Sequence, residues 1–156
     1  VKFGYSILTI KYFIFVSILI SASIIDIKSY FIPDSLTFSL ILLGMISTFF
    51  SSINLESAFI GAGTYAFFFI IIYGYGEYVF KKEAMGFGDI KLAAGIGSFL
   101  GYSNFLNLYI FITITFLLGA IISLTLMRLK IKERTSQIAF APYLAISGLI
   151  MMFIQL

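Results

Sequence analysis

The chain reads as an all-α protein, a polytopic membrane helix bundle of about six transmembrane helices. Three observations predict it. First, 61% of the 156 residues are hydrophobic and only 11% charged, against roughly 45–50% and about 25% in soluble domains. Second, mean hydropathy is +1.10, and a chain this short cannot hide so much apolar surface in its own core. Lipid is the solvent that accepts it. Third, the apolar residues fall into six runs separated by short polar or basic connections, each run close to the length that crosses a hydrocarbon core of about 30 Å.

The first run, Tyr5–Ile25, holds one charge, Lys11, which can snorkel toward the nearer interface. It ends at Asp26 without a small-residue cleavage site, so it reads as a span and not as a cleaved signal. Ser35–Phe50 is the second run, opened by Pro33 and Asp34, of which Asp34 or Ser35 is expected to cap the helix. Ser57–Phe80 is the third. The fourth, Asp89–Tyr102, is shorter and rich in glycine. Asn104–Met127 and Ile138–Gln155 complete the set.

Basic residues orient the bundle, because they concentrate in cytoplasmic connections. Lys28 follows the first span; Lys81, Lys82 and Lys91 surround the third connection; Arg128, Lys130, Lys132 and Arg134 lie between spans five and six. All fall on one side if both termini face away from the cytoplasm. The opposite connections, 51–54 and 102–104, carry no basic residue, and only Lys2 and Lys11 belong to that side. The net charge of +3 without a Lys/Arg-rich face points to anionic lipid and not to nucleic acid.

Absences narrow the chemistry. The chain has no cysteine and no histidine. That removes disulfides, thiolate zinc sites, cysteine nucleophiles, the Ser-His-Asp triad and histidine-bound metal. No metal or cofactor is expected, and catalysis would run on Asp, Glu, Lys, Tyr or Ser.

Of the seven acids, most have ordinary accounts. Glu56 sits in an outer connection, Glu77 and Glu83 flank Lys81 and Lys82, and Glu133 lies in the basic connection. Asp26 closes the uncharged run 12–25 at the membrane boundary; by position alone it reads as an interfacial acid paired with Lys28 or Tyr30. Asp89 is sharper. It stands in MGFGDIKLAAGIGSFLG, at the entrance to a span, where an ionisable residue is costly and usually functional. Gly86 and Gly88 leave no side chains there, so the backbone can bend or be approached closely. Gly95, Gly97 and Gly101 read as close helix packing. Lys91, on the face opposite Asp89, reads as a topology anchor and as support for the site.

Asp26 ends an inward-running span and Asp89 begins an outward-running one, so both sit at the same depth. Two carboxyls brought together divide into one base and one acid, because both do not easily ionise. The pair would titrate as a unit. It would deprotonate water and protonate the carbonyl oxygen or leaving amine, which is what metal-free peptide hydrolysis requires. On physics alone, a small transporter or channel suits six spans with buried acids and a glycine-rich helix. A structural subunit, with glycines used only for packing, is a further reading. A Ser-Lys peptidase lacks a serine that pairs evidently with Lys11 or Lys91.

The segments SASIIDIKSYFIPDSLTFSLILLG and EAMGFGDIKLAAGIGSFLG together resemble the type IV prepilin peptidases, relatives of the archaeal preflagellin peptidases among the GxGD aspartyl proteases. The pattern is an aspartate, Asp26, followed by the Ile32-Pro33-Asp34 step and later by Gly86-Phe87-Gly88-Asp89. IAFAPYLAISG is similar to the family's final helix, and the likeness covers nearly the whole chain. The resemblance implies one transmembrane peptidase domain, residues 1–156, in the inner membrane. Its catalytic pair would be Asp26 and Asp89, not Asp34. Its substrates would be prepilins or pseudopilins, losing a short basic leader at the cytoplasmic face, with Glu77 or Glu83 available to hold that leader. Many bacterial members carry an N-terminal tetracysteine zinc region linked to N-methylation. With no cysteine and no room for that region, the chain resembles the short, peptidase-only form, and N-methyltransferase activity is not expected. The pilin processed and the oligomeric state are left open.

Overall fold

The structure is a computed structural model. It describes residues 2–51, 53–81, 85–130 and 137–155, with side chains from residue 9 onward except that of residue 80. Among the described residues there are six α-helices and no strand. They are α1 (Lys2–Ser29), α2 (Asp34–Ser47), α3 (Leu55–Phe80), α4 (Phe87–Leu100), α5 (Phe105–Arg128) and α6 (Ala141–Gln155). A 3-10 turn, Thr48–Phe50, extends α2.

Three helices, α1, α3 and α5, are long and apolar enough to cross a membrane; α2 with its 3-10 turn and α6 are shorter apolar helices. The fourth expected span is α4, 14 residues long, or about 21 Å at 1.5 Å per residue. Its shortness follows from its place. Ten of those 14 residues are buried, and α3, α2 and α6 enclose it. A helix lodged inside a bundle answers to its neighbours and not to the bilayer thickness.

The enclosure depends on absent side chains. A Cβ at Gly97 would collide with the backbone of Gly61, and one at Gly61 would collide with that of Gly97. Two glycines therefore let α3 and α4 cross backbone to backbone, as small residues do at membrane helix interfaces. Gly95 meets Leu40 of α2, where a Cβ would lie 2.8 Å from Cδ2. Gly101 ends α4 at φ +70°, a backbone that L side chains rarely adopt. The packing reading of Gly95, Gly97 and Gly101 holds.

Aromatic rings fill what remains. Phe15 of α1 stacks on Phe99 of α4 at a centroid distance of 3.8 Å, and Tyr65 of α3 lies 4.8 Å from Phe111 of α5. Such pairs contribute about 0.5–1.5 kcal/mol each beyond their burial. Hydroxyls along the spans bond back to their own helix, as Ser17 does to the Phe13 carbonyl and Thr115 to Phe111, both at 2.8 Å. That pairing is what permits so many Ser and Thr in lipid-facing and buried positions. The outward surface is apolar, with Phe13, Phe49, Phe67, Phe105 and Phe153 all widely exposed.

The connections alternate between two ends. Lys28, Lys81, Lys91, Arg128 and Lys130 gather at the end where α1, α3 and α5 stop; Lys11 lies toward the other. Lys82, Lys132 and Arg134 lie outside the described residues. Helix α1 runs one turn beyond the expected Ile25, to Ser29. Asp26 is buried within the bundle. Helix α2 begins at Asp34 with Pro33 as its cap residue and no side-chain capping bond. The Asp34 carboxylate instead meets Lys91 Nζ at 2.6 Å, tying α2 to α4.

Candidate active site

At the lysine-rich end, a cavity of about 650 Å³ opens among α1, α3, α4, α5 and the start of α6. Asp26 and Asp89 both line it, with Gly86, Gly119 and Tyr143 among their neighbours. The two acids are the buried carboxylates of the described residues, each about 5% exposed (Asp26 5%, Asp89 6%), and they lie within electrostatic reach of each other. Two helices distant along the chain thus deliver them to one space.

Asp89 enters from the first turn of α4, two residues past its start at Phe87. The turn is closed by its own N–H donating to the Gly86 carbonyl at 3.1 Å. A Cβ on Gly86 would sit 3.3 Å from Asp89 Oδ2, so the missing side chain is the room the carboxyl occupies. At Gly88 a Cβ would come within 3.1 Å of Ile32 Cβ. Absence there lets the α1–α2 connection lie against the turn. Asp89 Oδ1 is buried and has no hydrogen-bond partner among the described residues. The Gly86 amide lies against the carboxyl on its other side.

Asp26 is held differently. Its Oδ2 accepts the backbone N–H of Ala141 at 2.9 Å, and the Phe140 amide lies alongside. Ala141 is the first residue of α6, where backbone donors have no helical acceptor and the helix dipole favours an anion. Phe140 fixes that helix start. Its ring lies 5.6 Å from Phe116 of α5, 6.4 Å from Phe69 of α3 and 5.9 Å from Tyr143 of α6. Packing of one aromatic side chain therefore aims a backbone amide at an acid on α1.

The remaining candidates are distributed as follows. Lys91 points away from the cavity, paired with Asp34 and lying over the rings of Phe87 and Phe38 at 5.3 and 5.9 Å. The pair docks α4 on α2. Glu77 is exposed on the last turn of α3 and does not line the cavity. Glu83 lies outside the described residues. Among the described residues no group of three or more His, Cys, Asp or Glu is placed to hold a metal.

The Ala141 amide is the participant that sequence reasoning missed. Pro142 marks a helix start, since proline suits the first turn, but a backbone donor carries no residue code for its acceptor. Chemically, the cavity presents one carboxylate with a donor on it and one carboxyl oxygen left bare, beside an opening lined by small residues of α5, Gly119 and Ala120.

Comparison with known proteins agrees with the motifs. Residues 13–124 match the type IV leader peptidase family. The chain is 37% identical over 154 residues to a prepilin leader peptidase/N-methyltransferase of Legionella pneumophila, covering 97% of this chain and 52% of that protein. It is 33% identical over 136 residues to the corresponding protein of Pectobacterium carotovorum, covering 86% and 48%. Against that of Pseudomonas aeruginosa it is 34% identical over 131 residues, covering 83% and 44%. The chain thus spans about half the length of the curated relatives it matches. No solved structure matches it. The chain belongs to the type IV leader peptidase family.

Proposed function

We propose that these 156 residues form a single membrane peptidase domain that hydrolyses its substrate with the carboxyl pair Asp26 and Asp89. One observation carries the reading: α1 and α4 bring two buried acids onto one cavity that opens at the bundle end. The asymmetry of their partners supports a division of labour. Asp26, with the Ala141 N–H on one oxygen, is the carboxylate that takes a proton from water. Asp89, with Oδ1 lacking a donor, is the acid that protonates the carbonyl oxygen; Asp26 then passes the proton it took from water to the leaving amine, and Asp89 recovers its own as the tetrahedral intermediate collapses. General acid and base roles of this kind each contribute about 10²–10⁴-fold.

The substrate class follows from the cavity's position and from the relatives' names. Curated relatives are prepilin leader peptidases, and we assign prepilins or pseudopilins to this chain as well. The five described basic residues at the acids' end support a cytoplasmic position for that end and the termini on the far side, by the bias of cytoplasmic connections. In an inner membrane, a basic leader emerging there meets acids at the depth of the membrane boundary. Opposite charge suits that encounter, and Glu77 and Glu83 are candidate contacts for the leader. A space of about 650 Å³ takes a short stretch of extended peptide, not a folded domain. Methyl transfer is not assigned to these residues.

Co-expression with a prepilin and a gel-mobility measurement of leader loss tests the reading. Asp26→Asn and Asp89→Asn are each expected to abolish cleavage while the protein still accumulates in the membrane. Cleavage persisting in both single variants overturns it. A transporter would show solute flux that depends on these acids and no leader loss with the unsubstituted chain.

A further inference from the structure

Toward the end of the bundle opposite Asp26, a second cavity of about 820 Å³ opens between α1, the 50–57 connection, the α4–α5 connection and the end of α6. Its wall carries one cation, Lys11, only 6% exposed. No Asp or Glu is among the described residues lining this space. The described neighbours of the ammonium are the rings of Phe99, 4.5 Å to the centroid, and Tyr12, 5.5 Å. Ring faces attract a cation but do not neutralise it. A buried ammonium in a membrane protein ordinarily has an anion or a set of carbonyl oxygens against it.

Two polar atoms in the same wall are unsatisfied among the described residues. Ser51 Oγ and Gln155 Nε2 are both buried with no hydrogen-bond partner among the described residues. All three groups are donors: an ammonium, a hydroxyl and an amide NH2. A cation on α1 beside orphan donors from the α2–α3 connection and α6 is a set that an oxyanion satisfies at once, and charge-assisted bonds to it are the strong kind. The same cavity is bordered by Phe50, Leu100, Met152 and Ile154, an apolar flank beside a polar wall.

We propose that this cavity binds the phosphate group of an anionic amphiphile, with Lys11 on the phosphate, Ser51 and Gln155 donating to its oxygens, and acyl chain against the apolar flank. The site is separate from the carboxyl pair and does not depend on the peptidase reading. Soluble phosphate presents the same oxyanion without the chain, so the test separates the two sources.

The experiment uses the purified, delipidated chain in a neutral detergent. Native mass spectrometry follows titration with dioleoyl phosphatidylglycerol, with dioleoyl phosphatidylcholine as the zwitterionic control. Thermal unfolding is followed with and without inorganic phosphate. The unsubstituted chain is expected to retain one phosphatidylglycerol in preference to phosphatidylcholine. Lys11→Met is expected to weaken that binding by about tenfold or more. Lys11→Arg keeps the binding, and Lys28→Met, which removes a charge at the other end, leaves it unchanged. A Lys11-dependent gain in stability with inorganic phosphate, without selective lipid retention, supports the oxyanion site and assigns it to a soluble phosphate. Should Lys11→Met not fold, Gln155→Met keeps the cation and removes one donor, and a several-fold loss is then expected. Equal binding of both probes by the unsubstituted chain and these variants overturns the proposal.

Discussion

Replacing each acid of the pair by alanine and by asparagine separates what it does for the fold from what it does for the chemistry. Asp26→Ala strips the acceptor from the Ala141 N–H, and Ala141 has no exposed surface. A buried donor left without a partner costs about 1–3 kcal/mol. Asp26→Asn keeps an oxygen in the same place, so it loses only the charge assistance, about 1 kcal/mol or less. Asp89→Ala is the contrast. Its Oδ1 has no bond to lose, and the Gly86 amide beside the carboxyl belongs to an exposed residue that water can reach. Asp89→Ala is therefore expected to cost less than Asp26→Ala by about 1–3 kcal/mol. At roughly 2–4 °C per kcal/mol for a chain of this size, that is a gap of several degrees in melting midpoint. Circular dichroism at the helical band, in one detergent, reads it directly. On the proposed function, all four variants are expected to lose cleavage. Equal midpoints for Asp26→Ala and Asp26→Asn, or an Asp89→Ala loss as large as that of Asp26→Ala, would refute the assignment of the Ala141 bond.

Four further outcomes follow from the structure. Gly97→Val places a side chain against the Gly61 backbone and 2.7 Å or closer to Tyr65 Cγ, and is expected to cost about 1–3 kcal/mol or more. Gly63→Ala on the same helix meets open space and is expected to be neutral or stabilising by about 0.5–1 kcal/mol; both show in the same melt. Lys81 ends α3 at φ 50°, ψ 31°, a left-handed position costly for a side chain, so Lys81→Gly is expected to raise stability by about 0.5–1 kcal/mol. Lys91→Met removes a partly exposed ion pair with Asp34 and is expected to cost no more than about 1 kcal/mol, with cleavage retained; a larger loss would mean that the pair does more than dock α4.

The helical class and the two acids were legible because charge is rare in this chain. Asp89 stands out inside a glycine-rich apolar run, and Asp26 at the foot of another. The same rarity misled the boundary of α1. A sequence reader stops the apolar span at the acid that closes it, whereas the helix carries Asp26 inside and runs on to Ser29. The Asp34–Lys91 pair was illegible for a different reason. Its members lie on separate helices, and the cap preference of Asp34 gave a sufficient local account. The Ala141 donor was hidden more deeply, because every residue but proline has a backbone N–H and only the fold decides which acid it faces. Lys11 was read as a snorkelling side chain, while α1 in fact turns it onto Phe99 within the protein.

The bond between Asp26 and Ala141 joins positions separated by 115 residues. Its acceptor lies on α1 and its donor at the start of α6, the first and the last of the described helices. A partly inserted chain carries both aspartates yet holds Asp26 with nothing to aim it. On this geometry the aim of the Asp26 carboxyl depends on α6 being seated in the bundle.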